Sequence, residues 1–134
     1  MNAERFGERK NELTRAVKRL EEAVHRPEDE FMRDAVIQRF EFTIELIWKA
    51  LKLYLEGQGY ETGSPRQTLK QAFAAKLVAS NDEADIWFKM LDDRNLASHT
   101  YHEELAREIY LRVRTYLPLI QAMNGRIQKT EQSE

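Results

Sequence analysis

Arg94, His99 and Tyr101 lie within eight residues of one another, in the stretch Asp92-Asp93-Arg94-Asn95-Leu96-Ala97-Ser98-His99-Thr100-Tyr101. An arginine presents a planar fork that grips phosphate oxygens and neutralises their charge. A histidine titrates near neutral pH, so it can take a proton from a ribose hydroxyl or return one to a leaving oxygen. Together they suit a phosphodiester, and the scheme calls for no metal and no cofactor. Metal ligands are sparse near the motif, with only Asp92, Asp93, His99 and His102 close in sequence. A purely structural reading competes: Asp92 and Asp93 can pair with Arg94, and Tyr101 can lie on the protein surface or cover the core. His25 and His102 read as ordinary helix-surface histidines and receive no role.

Helices must position these side chains. Leu13, Val17, Leu20 and Val24, with Phe6 before them, recur at helical spacing and predict a first helix over 3–25, stopped by Pro27. A second, longest helix is expected over 29–56. Ile37, Phe40, Ile44, Ile47, Trp48, Leu51 and Leu55 share one of its faces, while Ala35, Phe42, Leu46 and Leu53 gather opposite. Two apolar faces mean burial from both sides, so this helix is either the centre of its own bundle or half of a subunit interface. Glu45 and Lys49 stand in the favourable order for a pair one turn apart. Gly57 and Gly59 supply a left-handed stop.

Ser64-Pro65-Arg66-Gln67 opens a short helix to about Leu77, with a capping serine, proline at the first helical position and a capping-box glutamine. Ser80-Asn81-Asp82-Glu83 opens a fourth, to about Leu96, whose buried side is Ile86, Trp87, Met90 and Leu91. Thr100-Tyr101-His102-Glu103 reads as a third capping box, and Leu105, Ile109, Val113, Tyr116, Leu117 and Ile120 continue the pattern. With Thr100 as the cap, His99 would stand beside the free amides of a helix start, an anion site. Pro118 is expected to kink or break this last helix. The domain is expected to span 1–124, with 125–134 a polar, frayed tail.

Composition limits the function. The 134-residue chain has no cysteine, which excludes disulfides and thiolate metal sites. Charged residues make up 33%, yet the net charge is only −2, so any RNA contact must be local rather than spread over a basic surface. Five glycines and three prolines among many charged helix formers favour an all-α domain. No apolar run has transmembrane length and the N-terminus is charged, so the expectation is a soluble cytoplasmic protein with no membrane partner.

The spacing of Arg94, His99 and Tyr101 resembles the arginine–histidine–tyrosine signature of the HEPN superfamily. More closely, the chain is similar to the HepT-like family of nucleotidyltransferase substrate-binding proteins. Gln38-Arg39-Phe40-Glu41-Phe42-Thr43-Ile44-Glu45-Leu46-Ile47-Trp48-Lys49 resembles a second stretch of that family, and the likeness covers roughly Phe6 to Met123. The resemblance implies an antiparallel up-and-down helical bundle of about five helices that pairs as a homodimer, bringing two motifs into one cleft. It implies a toxin that cuts RNA without metal. Arg94 would hold the phosphate, His99 would act as acid or base, and Asn95 would order the site. The implied partner is a cognate minimal nucleotidyltransferase, an antitoxin that transfers AMP from ATP to Tyr101. Two other readings remain: a non-catalytic subunit that binds substrate or nucleotide for a two-component nucleotidyltransferase, and a helical interaction protein whose motif is a cap.

Overall fold

Five helices form, close to where caps and periodicity place them: α1 (Asn2–Val24), α2 (Glu30–Gly57), α3 (Pro65–Ala74), α4 (Asn81–His99) and α5 (Glu103–Gln128). The structure is a computed structural model that describes residues 2–99 and 102–131, without the side chains of Asn2, Ser98 and His99. Among the described residues, no helix is long and apolar enough to cross a membrane.

Contacts fix the directions. Phe6 stacks on Tyr54 at 5.9 Å, and Arg39 donates to the Arg19 carbonyl at 2.7 Å, so α1 and α2 are antiparallel. Lys10 donates to the Thr130 carbonyl and Gln121 to Glu21, which makes α5 antiparallel to α1. Arg112 reaches Asp93 and Arg126 reaches Glu83, which makes α4 antiparallel to α5. The result is an all-α, up-and-down bundle of four long helices, with the short α3 inserted between α2 and α4. Helices α1 and α4 do not touch among the described residues, whereas α2 meets all four others. Phe40 of α2 stacks on Tyr116 of α5 at 5.8 Å across the diagonal. The doubly apolar pattern of α2 is thus largely that of a central helix.

Local chemistry explains the ends. Ser64 caps α3 by accepting from the Gln67 amide, and Ser80 accepts from the Glu83 amide at the start of α4. Gly59, at φ +92°, ends α2 with Tyr60 donating back to the Leu55 carbonyl. The same turn ends α3, but there Lys76 takes the left-handed conformation, at φ +68°. That helix therefore stops at Ala74 rather than near Leu77. Leu77 remains buried beyond it, while Phe73 is 39% exposed.

Other expectations are corrected. α4 continues to His99, and α5 starts at Glu103 with His102 as its cap; the His102 Nδ1 accepts from the Leu105 amide at 3.3 Å. His102 is therefore a capping residue, and His99, the last residue of α4, is not directly followed by the α5 cap. Of the kink or break expected at Pro118, the break does not occur, since α5 runs through it. An interior proline costs about 3 kcal/mol, and burial of Tyr116, Leu117, Ile120 and Met123 around it offsets that cost. Nor does a frayed tail begin at 125. Ile127 is buried, Arg126 donates to the Leu77 carbonyl, and Gln128 donates to the Lys10 carbonyl, so packing holds the helix to Gln128. On α4, Ile86 faces solvent while Trp87, Met90 and Leu91 are buried.

Candidate phosphodiester site at the end of the bundle

Arg94 and Asn95 lie on α4, and His99 is its last residue. The His99 side chain and the whole of Tyr101 lie outside the described residues. The start of α5 shares one end of the bundle with the α1–α2 connection: Arg107, in the first turns of α5, reaches Glu28 of that connection at 3.4 Å.

Neither neighbouring aspartate holds Arg94. Asp93 turns inward and is buried, accepting from Arg112 Nε and Nη2 at 2.8 Å each and from the Tyr116 hydroxyl at 2.5 Å. Burial and the hydrogen bond to Asp93 push the Tyr116 phenol well above its usual range, so it donates at any ordinary pH. Asp92 points out and pairs with Arg66 of α3 at 2.9 Å. An acidic partner of Arg94 comes from α2: the Arg94 Nη2 donates to Glu45 Oε2 at 2.8 Å. Glu45 also accepts from the Trp48 indole at 3.0 Å and lies 3.5 Å from Lys49. Burial pushes the Glu45 carboxyl up, but Trp48, Arg94 and Lys49 outweigh it and hold the group below the usual range. A carboxylate so fixed sets the plane of the guanidinium. The other arm of that guanidinium, Nη1, lies 3.4 Å from Asn95 Oδ1.

Arg94 separates two concavities. On one side Gln38, Glu41, Phe42 and Glu45 form a shallow groove with an acidic wall. On the other lies a smaller cavity between α2, α3 and α4. Beyond the acidic groove, Phe42 and Leu46 of α2 face α1 across a depression of about 540 Å³. Phe42 is 61% exposed, and Leu96 of α4 is exposed too. The second apolar face of α2 is thus partly uncovered, beside the motif. Glu45 was legible from sequence only as a partner for Lys49, although it belongs to the stretch that carries the family resemblance. Among the described residues, no group of three His, Asp or Glu side chains is placed to hold a metal ion.

An up-and-down bundle whose α4 carries an arginine gripped by α2, with a histidine closing the same helix, is a HEPN-like architecture. Comparison with known proteins agrees. The chain belongs to the family described as nucleotidyltransferase substrate binding protein like, whose model matches residues 8–129. It is similar to a crystal structure of a protein from Thermus thermophilus, with TM-score 0.80 and 39% identity, covering 87% of this chain and 99% of that one. It is also 30% identical over 86 residues to a Haemophilus influenzae protein named "Probable ribonuclease HepT", a match covering 60% of this chain and 57% of that protein.

Proposed function

We propose that this chain is a HepT-like toxin: a homodimeric, metal-independent endoribonuclease that a cognate minimal nucleotidyltransferase silences by adenylylating Tyr101. The observation that carries the reading is the Glu45–Arg94 contact, which holds a guanidinium at the surface five residues before His99 on one helix. The name of the Haemophilus relative points the same way.

In this mechanism Arg94 neutralises the nonbridging oxygens of the scissile phosphate. A His99 imidazole takes the proton of the adjacent 2′-hydroxyl, and that oxygen attacks phosphorus. The bond from phosphorus to the 5′ oxygen breaks, and an imidazolium returns a proton to that oxygen. The products are a 2′,3′-cyclic phosphate and a free 5′-hydroxyl. The second imidazole comes from a second copy, docked over the exposed Phe42 of α2 and Leu96 of α4. For silencing, the Tyr101 phenol oxygen attacks the α-phosphorus of ATP and pyrophosphate leaves. The added phosphodiester places negative charge beside the RNA site.

The decisive experiment is cleavage of a labelled RNA by the purified chain in excess chelator, beside Arg94→Ala and His99→Ala. Cleavage by the parent alone is expected. Intact RNA with all three, together with tight binding of a cognate nucleotidyltransferase, would replace the enzyme with a substrate-binding subunit.

A further inference from the structure

The small cavity beside Arg94 has walls of two kinds. Ile44 and Leu91 are buried and line its apolar side together with Trp48, while Arg66, Arg94 and Asn95 supply polar groups and the start of α3 completes the lining. No lining residue is acidic. Arg66 is held in place, its guanidinium 4.8 Å from the Phe88 ring centroid and 2.9 Å from Asp92. Its ion pair is exposed on both sides and therefore weak, so an anion can displace Asp92.

We propose that this cavity is a nucleotide subsite, with a nucleobase against Trp48, Ile44 and Leu91 and the attached phosphate between Arg66 and Arg94. Size decides the class of ligand. At about 190 Å³ the cavity is smaller than the roughly 300–1,000 Å³ that enclose drug-sized ligands, so it admits one ring system and leaves the rest outside. An aromatic wall takes any base face, and two guanidinium groups, each sharing its charge with one carboxylate, attract an anion to the rim. Charge also decides which side of Arg94 the nucleotide occupies: the opposite groove carries Glu41 and Glu45 and repels phosphate. The subsite rests on the proposed function for its biological source, which is either the RNA nucleotide next to the scissile bond or the AMP carried on Tyr101.

The test is a titration of the full chain, labelled with nitrogen-15, with AMP, adenosine and inorganic phosphate, read at the two indole N–H signals. Trp87 is buried and donates to Glu83, so its signal serves as the internal control. AMP should move the Trp48 signal saturably, with affinity of about 1 mM for so small a site. Adenosine should bind more weakly, and phosphate alone should leave Trp48 in place. Arg66→Ala should weaken AMP about tenfold, as loss of a charge-assisted contact predicts. In adenylylated protein, a Trp48 signal already at the AMP-bound position assigns the subsite to the modification. A signal that still responds to RNA assigns it to substrate.

Trp48 unmoved by both AMP and a short RNA overturns the subsite, as does an equal response in Arg66→Ala. RNA cleavage is scored separately. Cleavage with an unresponsive Trp48 leaves the nuclease standing without the subsite. A saturable Trp48 shift without cleavage does the reverse.

Discussion

Glu45 Oε2 lies 2.8 Å from Arg94 Nη2, joining α2 to α4 across 49 positions of sequence. The two stretches that carry the family resemblance are thus parts of one device, since Glu45, Trp48 and Lys49 of the first fix the arginine of the second. Glu45→Gln removes the charge that orients the fork and leaves the Arg94 charge without that neutralising carboxylate. RNA should then bind at least as well, while cleavage slows about tenfold, the scale of a mispositioned reacting geometry. Single-turnover cleavage beside a binding titration separates the two effects. Faster cleavage would recast Glu45 as an inhibitor of Arg94.

Asp93 is the lock between α4 and α5, buried with two bonds from Arg112 and one from Tyr116. Asp93→Ala leaves those donors without their acceptor and should cost about 3–5 kcal/mol, read as a lower midpoint in urea unfolding. Pairing Asp93→Leu with Arg112→Met should recover much of the loss, because both charges leave together. A single-variant loss within experimental error would show that the fork contributes nothing.

Glu83 ties the start of α4 to α5. It is buried and accepts from the Ala79 amide, the Trp87 indole and Arg126. Burial raises its pKa, but Arg126, Ala79 and Trp87 outweigh it, so the folded value lies below that of an ordinary glutamate. A depressed folded pKa gives stability that is complete above the unfolded pKa and lost as pH falls through the folded one. Thermal unfolding followed downward from pH 7 should show an acid-side fall in Tm that flattens in Glu83→Gln, with the difference confined to pH above the folded value. Parallel curves for the two proteins would remove Glu83 from the acid transition.

Lys76 holds a left-handed backbone at φ +68° in the turn after α3. A side chain there costs about 1–2 kcal/mol, part of which glycine returns through its freer unfolded state. Lys76→Gly should therefore stabilise by about 0.5–1 kcal/mol in chemical denaturation. Destabilisation would mean that the lysine side chain makes a contact worth more than the strain.

The parts legible in the sequence are those decided within a few residues. Ser64, Ser80 and Gly59 act where their types place them, because a cap needs only its own turn. Phe6, Leu13, Val17, Leu20 and Val24 are all buried as their spacing required. The parts that escaped are decided at long range. Asp92 and Asp93 both looked available to Arg94, yet their partners stand 26 and 19 positions away. Thr100 has the better capping chemistry, but His102 takes the cap. Pro118 lost to packing on either side of it, and residues 125–128 look polar until Lys10, Leu77 and Glu83 are brought beside them by the other helices. At the candidate site, Arg94 and Asn95 stand on one helix as spaced, whereas the Glu45 contact depends on α2 packing against α4.

The lysine clamp between α1 and α5 has a practical side. Lys10 Nζ donates to the Gln128 and Thr130 carbonyls, so the first turns of α1 lie against the last turn of α5. α5 spans 26 residues, about 39 Å at helical rise, from His102 to that clamp. A fluorescent label or an affinity handle attached near Lys10 or Thr130 would therefore emerge at the end of the bundle opposite His102 and leave the surface around Arg94 open to assay.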